Sequence, residues 1–430
     1  MVWPRILTAL ILVLLLVNGV YRSGNSTDFD DYYQASKRFI EKSDIYAFED
    51  IDRARSQFTK IEDLFLPENS AILDKLINQT GSYIYPPTFA FLLIPLGFLE
   101  YSTASLIFFM INFIALIGSL YLAYELYGKK LSPTTWNWSL FFGLLINFRF
   151  LENHTNNNQV GFILIFLILL SVWSDKNWLS GILLALAIAI KLTPAIFLVY
   201  FFWKKKYSVI AYTSVFLVAW AILPGLYDWD LNLRYIGNWN EMVLQSAMKS
   251  PIFRAWKNNQ SMIATLAKYF IPMADPINQS TYKMPWLVLD MKTVQYVFYF
   301  IGSIFGFSLI FKMYSRTRKV TSIQLLAMLF ILSVIFSGIS WIHSFTFMLF
   351  PILFLVAEYI DGGMSKMQKI LFWLGIIILS MPNRNIVGSE IESLFLMLSF
   401  ILYGSVILYI LTFEYMDYED STDATYERKI

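Results

Sequence analysis

Long apolar runs separated by short charged clusters fill almost the whole chain, a rhythm set by the thickness of a bilayer and not by a soluble core. A spanning helix needs roughly 20 mostly apolar residues to cross about 30 Å of hydrocarbon. That ruler predicts about twelve helices, near 5–21, 103–127, 132–149, 157–173, 178–192, 194–203, 207–225, 291–312, 321–339, 344–358, 367–381 and 390–413. The expected fold class is an all-α polytopic membrane protein. Residues 1–413 are expected to form a single transmembrane domain carrying two long outer loops, 22–84 and 226–290, with an acidic cytoplasmic tail at 414–430.

Orientation follows from where lysine and arginine gather. The segment Tyr85 to Leu99, YPPTFAFLLIPLGFL, is broken by Pro86, Pro87 and Pro95 and makes a poor span, so it is expected to dip into the outer leaflet only. With that reading Arg5, Lys129, Lys130, Lys176, Lys204 to Lys206, Lys312, Arg316, Arg318, Lys319, Lys366 and Lys369 all face the cytoplasm, as do both termini. Short outer turns then keep Arg149, Lys191 and Arg384. Residues 178–203, flanked by Lys176 and Lys204, must go up and come back, with Pro194 at the apex. The apolar run 6–17 lacks a small-x-small cleavage pattern after it and reads as an uncleaved first helix in a cell (plasma or inner) membrane. The first outer loop holds 8 Lys+Arg against 12 Asp+Glu, a net of −4, which suits a solvated outer domain.

Composition removes several functions. With 57% hydrophobic and 15% charged residues and a mean hydropathy of +0.54, the chain lacks the charged surface of a soluble protein. A net charge of +2 gives no nucleic-acid footprint. The absence of cysteine excludes thiol catalysis and disulfides. No internal repeat is visible, which disfavours the paired halves common among carriers.

The candidate chemistry lies on the outer side. Thr27-Asp28-Phe29-Asp30-Asp31-Tyr32-Tyr33 opens an amphipathic helix running to about Lys42, in which Thr27 or Asp28 serves as cap. Three acids crowd that turn and only one is needed as a cap, so another is available as a general base, its pKa raised by its neighbours. Lys191 interrupts the apolar run ALAIAIKLTPAIFLVYF and either snorkels or meets a lipid phosphate. His343 sits where one helix emerges and the next re-enters, either as a structural residue or as part of a site. His154 falls in a polar outer turn, Glu152 to Gln159. The second outer loop carries Trp229, Tyr235, Trp239, Arg254, Trp256 and Asn259-Gln260-Ser261, groups that suit carbohydrate and also the headgroup region. A DxD-like Asp28-Phe29-Asp30 lacks a partner cluster, so no metal is expected.

These motifs, in this order, resemble the polyprenyl-phosphate-mannose-dependent α-mannosyltransferases of glycosyltransferase family 87, in the GT-C superfamily. The resemblance runs from Asp28 to about Leu355. It rests on Asp28, Phe29, Tyr32, Tyr33, Ala35, Asp44 and Tyr46, on Tyr85-Pro86-Pro87, on Ala189-Ile190-Lys191-Leu192-Thr193-Pro194 and on Asn259-Gln260-Ser261. Two motifs depart from the family pattern: its Gly-Gln-x-Asn reads Asn158-Gln159-Val160-Gly161, and its Ser-Trp-x-His-His reads Ser340-Trp341-Ile342-His343-Ser344. The resemblance implies a GT-C-like fold and transfer of a hexose, usually mannose, from a polyprenyl phosphate to a hydroxyl on a glycolipid or glycan. No cofactor beyond that lipid-linked donor is implied. Asp28 is then the general base, with Lys191 and His343 or Arg254 steadying the departing phosphate. Tyr32, Tyr33, Tyr85, Gln159, Trp256, Asn259 and Gln260 are the expected substrate contacts. Two other classes compete. A carrier for a lipid-linked sugar predicts ionisable residues deep in several helices, and an O-antigen ligase or polymerase predicts a cluster of outer arginines.

Overall fold

In the computed structural model the described residues are 2–25, 27–46, 66–69, 83–245, 255–271, 287–315 and 320–414. Regular structure among them is helical throughout. In chain order the α-helices are α1 (Val2–Arg22), α2 (Asp28–Ile40), α3 (Pro87–Leu92), α4 (Ile94–Gly97), α5 (Tyr101–Leu126), α6 (Pro133–Asn156), α7 (Gly161–Trp173), α8 (Asn177–Ile190), α9 (Leu198–Trp203), α10 (Tyr207–Ile222), α11 (Trp229–Trp239), α12 (Met262–Phe270), α13 (Met291–Tyr314), α14 (Ser322–Ile335), α15 (Leu349–Ile360), α16 (Lys366–Ser380), α17 (Arg384–Met397) and α18 (Phe400–Glu414).

All twelve apolar segments fold as helix, but not as twelve straight spans. Five helices are long and apolar enough to cross a bilayer, and two bent pairs raise that to seven. The pairs are α6 with α7, bent by 117°, and α16 with α17, bent by 80°. Four shorter apolar helices account for the other segments. The expected span at 390–413 is the clearest difference, because it divides between α17 and α18. Ser399 lies there at φ 57°, in the left-handed region that ends a helix, and Gly388 at φ 80° interrupts α17 itself. The fold is that of an all-α polytopic membrane protein.

Burial sorts the helices. α14 (SIQLLAMLFILSVI) is apolar on nearly every side and is enclosed by its neighbours from Gln324 to Ile335. α10 and α13 keep most of their apolar side chains on the outside of the bundle, which is stable only against lipid. The dipping segment forms two helical pieces of six and four residues, α3 and α4, far short of a span. α2 lies across them. Its buried face is Phe29, Tyr32, Tyr33, Ala35, Ser36 and Phe39, and the approach is so close at Gly97 that a Cβ there would come within 2.7 Å of Ser36 Oγ. Phe29 stacks on Phe108 of α5 at 4.9 Å.

The stretches that follow α2 and α10 are stitched together. Lys42 pairs with Asp228 at 2.8 Å, Asn238 Nδ2 donates to Asp44 Oδ2 at 3.0 Å, and the Tyr235 hydroxyl donates to the Ser43 carbonyl. The tail at 415–430 lies outside the described residues, as do Arg316, Arg318 and Lys319.

Candidate functional site

Thr27 takes the capping role in α2, its side chain accepting from Phe29 N at 3.3 Å. Asp28 is therefore released from capping. It faces a cavity of about 450 Å³ bounded by α2, the start of α3, the α6–α7 turn, the Lys191 corner and the loop before His343.

One amide orients the carboxylate. Gln159, in the turn after α6, donates from Nε2 to Asp28 Oδ2. Its Oε1 lies 2.6 Å from the Tyr32 hydroxyl and 3.3 Å from that of Tyr85, and the two hydroxyls are 2.8 Å apart. Two phenol protons serve these links, and either arrangement puts one on Oε1, so the amide must point its Nε2 at Asp28. Burial pushes the pKa of both phenols upward, keeping them protonated and donating. His343 Nδ1 stands 3.8 Å from the same Oδ2. Asp28 Oδ1 has no protein partner among the described residues.

Burial raises the Asp28 pKa above the ordinary carboxylate value, and the Gln159 hydrogen bond opposes that rise. The side chain is 43% exposed, so solvent screens part of the effect. The sequence pointed to a different cause, repulsion among the three acids. In the fold Asp30 turns away to accept from Gln34 Nε2 at 3.2 Å, and desolvation dominates instead.

Lys191 lines the same cavity. It ends α8 in an extended conformation (φ −150°, ψ 137°), because Pro194 forbids continuation of the helix. Its Nζ lies 5.9 Å from the Tyr85 ring centroid and has no carboxylate partner among the described residues. A narrow recess continues inward past Lys191 and His343 to His154. His154 is thus a correction: it lies inside α6 and not in an outer turn, buried, stacked 3.7 Å from the Phe162 ring, with Nε2 accepting from Phe162 N at 3.2 Å. As the only other histidine in the chain, it gave a signal that its polar neighbours misdirected.

Asp28, Tyr32, Tyr85, Gln159, Lys191, Trp256, Asn259 and His343 line the cavity as expected, and Trp239 and Trp341 join them. Trp256 and Trp341 lie 6.5 Å apart and give the mouth two aromatic faces. Two expected contacts do not reach it. Tyr33 turns to the far side of α2, where its hydroxyl donates to the Leu99 carbonyl at 2.8 Å. Gln260 is fully enclosed, its Nε2 donating to the carbonyls of Lys257 at 2.6 Å and Leu396 at 2.8 Å. Asn259 borders the cavity, but its amide is engaged with Ser340 N at 2.9 Å and the Gly338 carbonyl at 3.3 Å. Arg254 lies outside the described residues.

No local pattern singled out Lys268. Fully buried on α12, its Nζ donates to the carbonyls of Leu396 at 3.0 Å, Asn259 at 3.1 Å and Lys257 at 3.4 Å. It clamps the loop that presents Trp256 and Asn259. Lys268→Met is expected to remove the ammonium donor from the Asn259 carbonyl, while Gln260 still serves those of Lys257 and Leu396, at a cost of about 1–3 kcal/mol. Thermal unfolding would register the loss, and a raised acceptor KM would register the freed loop.

The model of glycosyltransferase family 87 matches residues 83–338, more than half of the chain. The chain belongs to glycosyltransferase family 87. The family 87 match takes in Tyr85, Gln159, Lys191 and 255–260 but starts after α2 and stops before His343. It is narrower than the span of the motif resemblance, and the fold alone brings Asp28 and His343 to the same cavity.

The chain is 26% identical over 137 residues to a polyprenol-phosphate-mannose-dependent α-(1-2)-phosphatidylinositol pentamannoside mannosyltransferase of Mycobacterium tuberculosis, covering 32% of each protein. A protein of the same description from Mycolicibacterium smegmatis is 29% identical over 137 residues, 32% of this chain and 33% of that one. An α-(1->3)-arabinofuranosyltransferase of Corynebacterium glutamicum is 25% identical over 247 residues, 55% of this chain and 51% of that one. The chain thus spans about a third of the length of the mannosyltransferases and about half that of the arabinofuranosyltransferase. No solved structure gives a significant match.

Proposed function

We propose that this family 87 protein is a membrane-embedded hexosyltransferase, moving mannose from a polyprenyl phosphate to a hydroxyl of a glycolipid or glycan. The reaction takes place on the extracytoplasmic face of the cell membrane, with both termini cytoplasmic and residues 1–413 acting as one unit. The single observation that carries this is the meeting of opposite charges in one cavity: Asp28, whose Oδ1 has no partner among the described residues, and Lys191, which has no acidic partner among them, both line it.

The chemistry follows from that meeting. The donor sugar sits between the two with its phosphate toward Lys191. Asp28 Oδ1 takes the proton of the acceptor hydroxyl as that oxygen bonds to the anomeric carbon. The bond from that carbon to the phosphate oxygen breaks, and the polyprenyl phosphate departs with its negative charge balanced by Lys191, with His343 beside it. A single displacement of this kind inverts the anomeric configuration of the donor. No cofactor beyond the donor takes part. Trp239, Trp256 and Trp341 offer aromatic faces to sugar rings.

Family membership supports transfer over a carrier, and the mannose assignment draws on two relatives that carry that donor in their descriptions. The deciding assay presents the purified protein, in lipid, with radiolabelled polyprenyl-phosphate mannose, then glucose, with total membrane lipid as acceptor. Label in a new glycolipid from mannose alone is expected. Label translocated across the bilayer without transfer would overturn the proposal, and transfer from glucose alone would overturn the sugar assignment.

Gln159 should set the acid limb of the pH profile. Its hydrogen bond lowers the Asp28 pKa, so Gln159→Leu is expected to raise that pKa further and move the acid limb of kcat to higher pH. An unmoved limb with a lower plateau would mean that the amide only packs.

A further inference from the structure

Just before α3, three consecutive carbonyls each accept a hydrogen bond from an aromatic side chain. Trp239 Nε1 donates to that of Ile84 at 3.2 Å, the Tyr46 hydroxyl to that of Tyr85 at 2.6 Å, and the Tyr83 hydroxyl to that of Pro86 at 2.9 Å. Pro86 adds a restriction from within the chain, because the residue before a proline is confined to extended conformations. The backbone at Tyr85 is thus pinned from α11, from the stretch after α2 and from its own segment. Supporting bonds of this kind hold a side chain within the tolerance that chemistry needs.

The side chain so fixed reaches both charged groups of the cavity. Its ring packs at right angles to that of Tyr32, centroids 5.0 Å apart, and Lys191 Nζ stands over it at 5.9 Å. Its hydroxyl lies 2.8 Å from that of Tyr32, which in turn lies 2.6 Å from Gln159 Oε1, whereas the direct link from Tyr85 to Oε1 is longer, 3.3 Å. Along the two shorter links Tyr85 donates to Tyr32, Tyr32 donates to Gln159, and the amide donates to Asp28 Oδ2. Tyr32, Tyr85 and Gln159 are all buried. In such a chain each donor is polarised by the one behind it, which strengthens the bond by roughly 10–30%.

We propose that Tyr85 is a positioning residue that ties the base to the cation: through Tyr32 its hydroxyl holds the Gln159 amide on Asp28, and its ring holds the Lys191 ammonium. The inference rests on the roles of Asp28 and Lys191 in sugar transfer. Its two halves separate chemically, since phenylalanine keeps the ring and drops the hydroxyl, whereas leucine drops both.

The test reads each half without turnover, on the full-length protein in lipid. Ionisation of Asp28 is followed by the carboxyl infrared band that is missing from Asp28→Asn, and the cation is followed by the affinity for polyprenyl phosphate. Asp31, His343 and Lys191 line the cavity with Asp28, Asp30 turns away on the same helix, and all of them stay in place in the Tyr85 variants. Tyr85→Phe should move the Asp28 midpoint to higher pH, because a weaker amide hydrogen bond stabilises the carboxylate less. The shift should be smaller than that of Gln159→Leu, since the Tyr32 hydroxyl still reaches Oε1, and polyprenyl phosphate binding should not change. A midpoint unmoved by Tyr85→Phe would overturn the role of the hydroxyl.

Tyr85→Leu should in addition weaken polyprenyl phosphate binding by roughly threefold to tenfold, the worth of a cation–π contact shielded from water. A pentafluorinated phenylalanine at position 85, which keeps the shape of the ring and reverses its quadrupole, should do the same should leucine disturb the fold. Both losses should disappear when Lys191 is already Met. A penalty of equal size with and without Lys191 would overturn the role of the ring. Absence of polyprenyl phosphate binding and of transfer in the unmodified protein would overturn the transfer reading and the ring's role with it, while the infrared band would still decide the link from Tyr85 to Asp28.

Discussion

Asp28→Asn is expected to reduce sugar transfer by roughly 10²–10⁴-fold, the range contributed by a positioned general base, with membrane insertion and unfolding temperature unchanged. The argument is one of shape against charge. An amide fits the carboxylate's space, and its oxygen still accepts from Gln159 Nε2, so the chain from Tyr85 and Tyr32 to residue 28 survives. What is lost is the unpartnered Oδ1, the atom able to accept a proton from the acceptor hydroxyl. Raising the pH should not rescue the variant, since no carboxylate is left to ionise. Transfer from a radiolabelled polyprenyl-phosphate sugar in proteoliposomes measures this. A variant retaining more than a tenth of the activity would remove Asp28 from the mechanism.

The second large effect belongs to Lys191, in the same cavity. Lys191→Met keeps the length and apolar stem of the side chain while deleting the charge that faces the departing phosphate. A loss of roughly 10²–10³-fold in kcat is expected, the magnitude seen when one group stabilising a developing anion is removed. Binding of the donor should weaken as well, because the phosphate is charged before transfer and after it. Folding should be preserved, since Lys191 forms no ion pair among the described residues whose breakage would leave a buried partner behind. If kcat were normal and only the unfolding temperature moved, Lys191 would be an interfacial residue and no more.

The differences between the chain's pattern and its fold have identifiable causes. The amphipathic helix at 28–40 was legible because its buried residues recur at helical spacing and Thr27 offers a cap. The Lys191 corner was legible because Pro194 must break a helix. Tyr33 was misassigned because adjacent residues on a helix point about 100° apart, and only the position of α4 and Leu99 decides which neighbour faces the cavity. Gln260 and Asn259 resembled sugar contacts because an amide satisfied by backbone reads, in a sequence, the same as an amide free to bind.

The sequence by itself determined that the chain lives in lipid, which apolar segments are helical, and that acid, lysine and histidine were available at helix ends. Those properties depend on composition and on periodicities of two to four residues, which are local. The tertiary structure alone decided that Thr27 caps and Asp28 does not, that Gln159 orients the carboxylate, that His154 lines the recess with His343, and that Asp28 and Lys191 share one cavity. Apart from the local cap, these pairings join positions more than a hundred residues apart, and no local pattern encodes a contact whose partners are set by how helices pack.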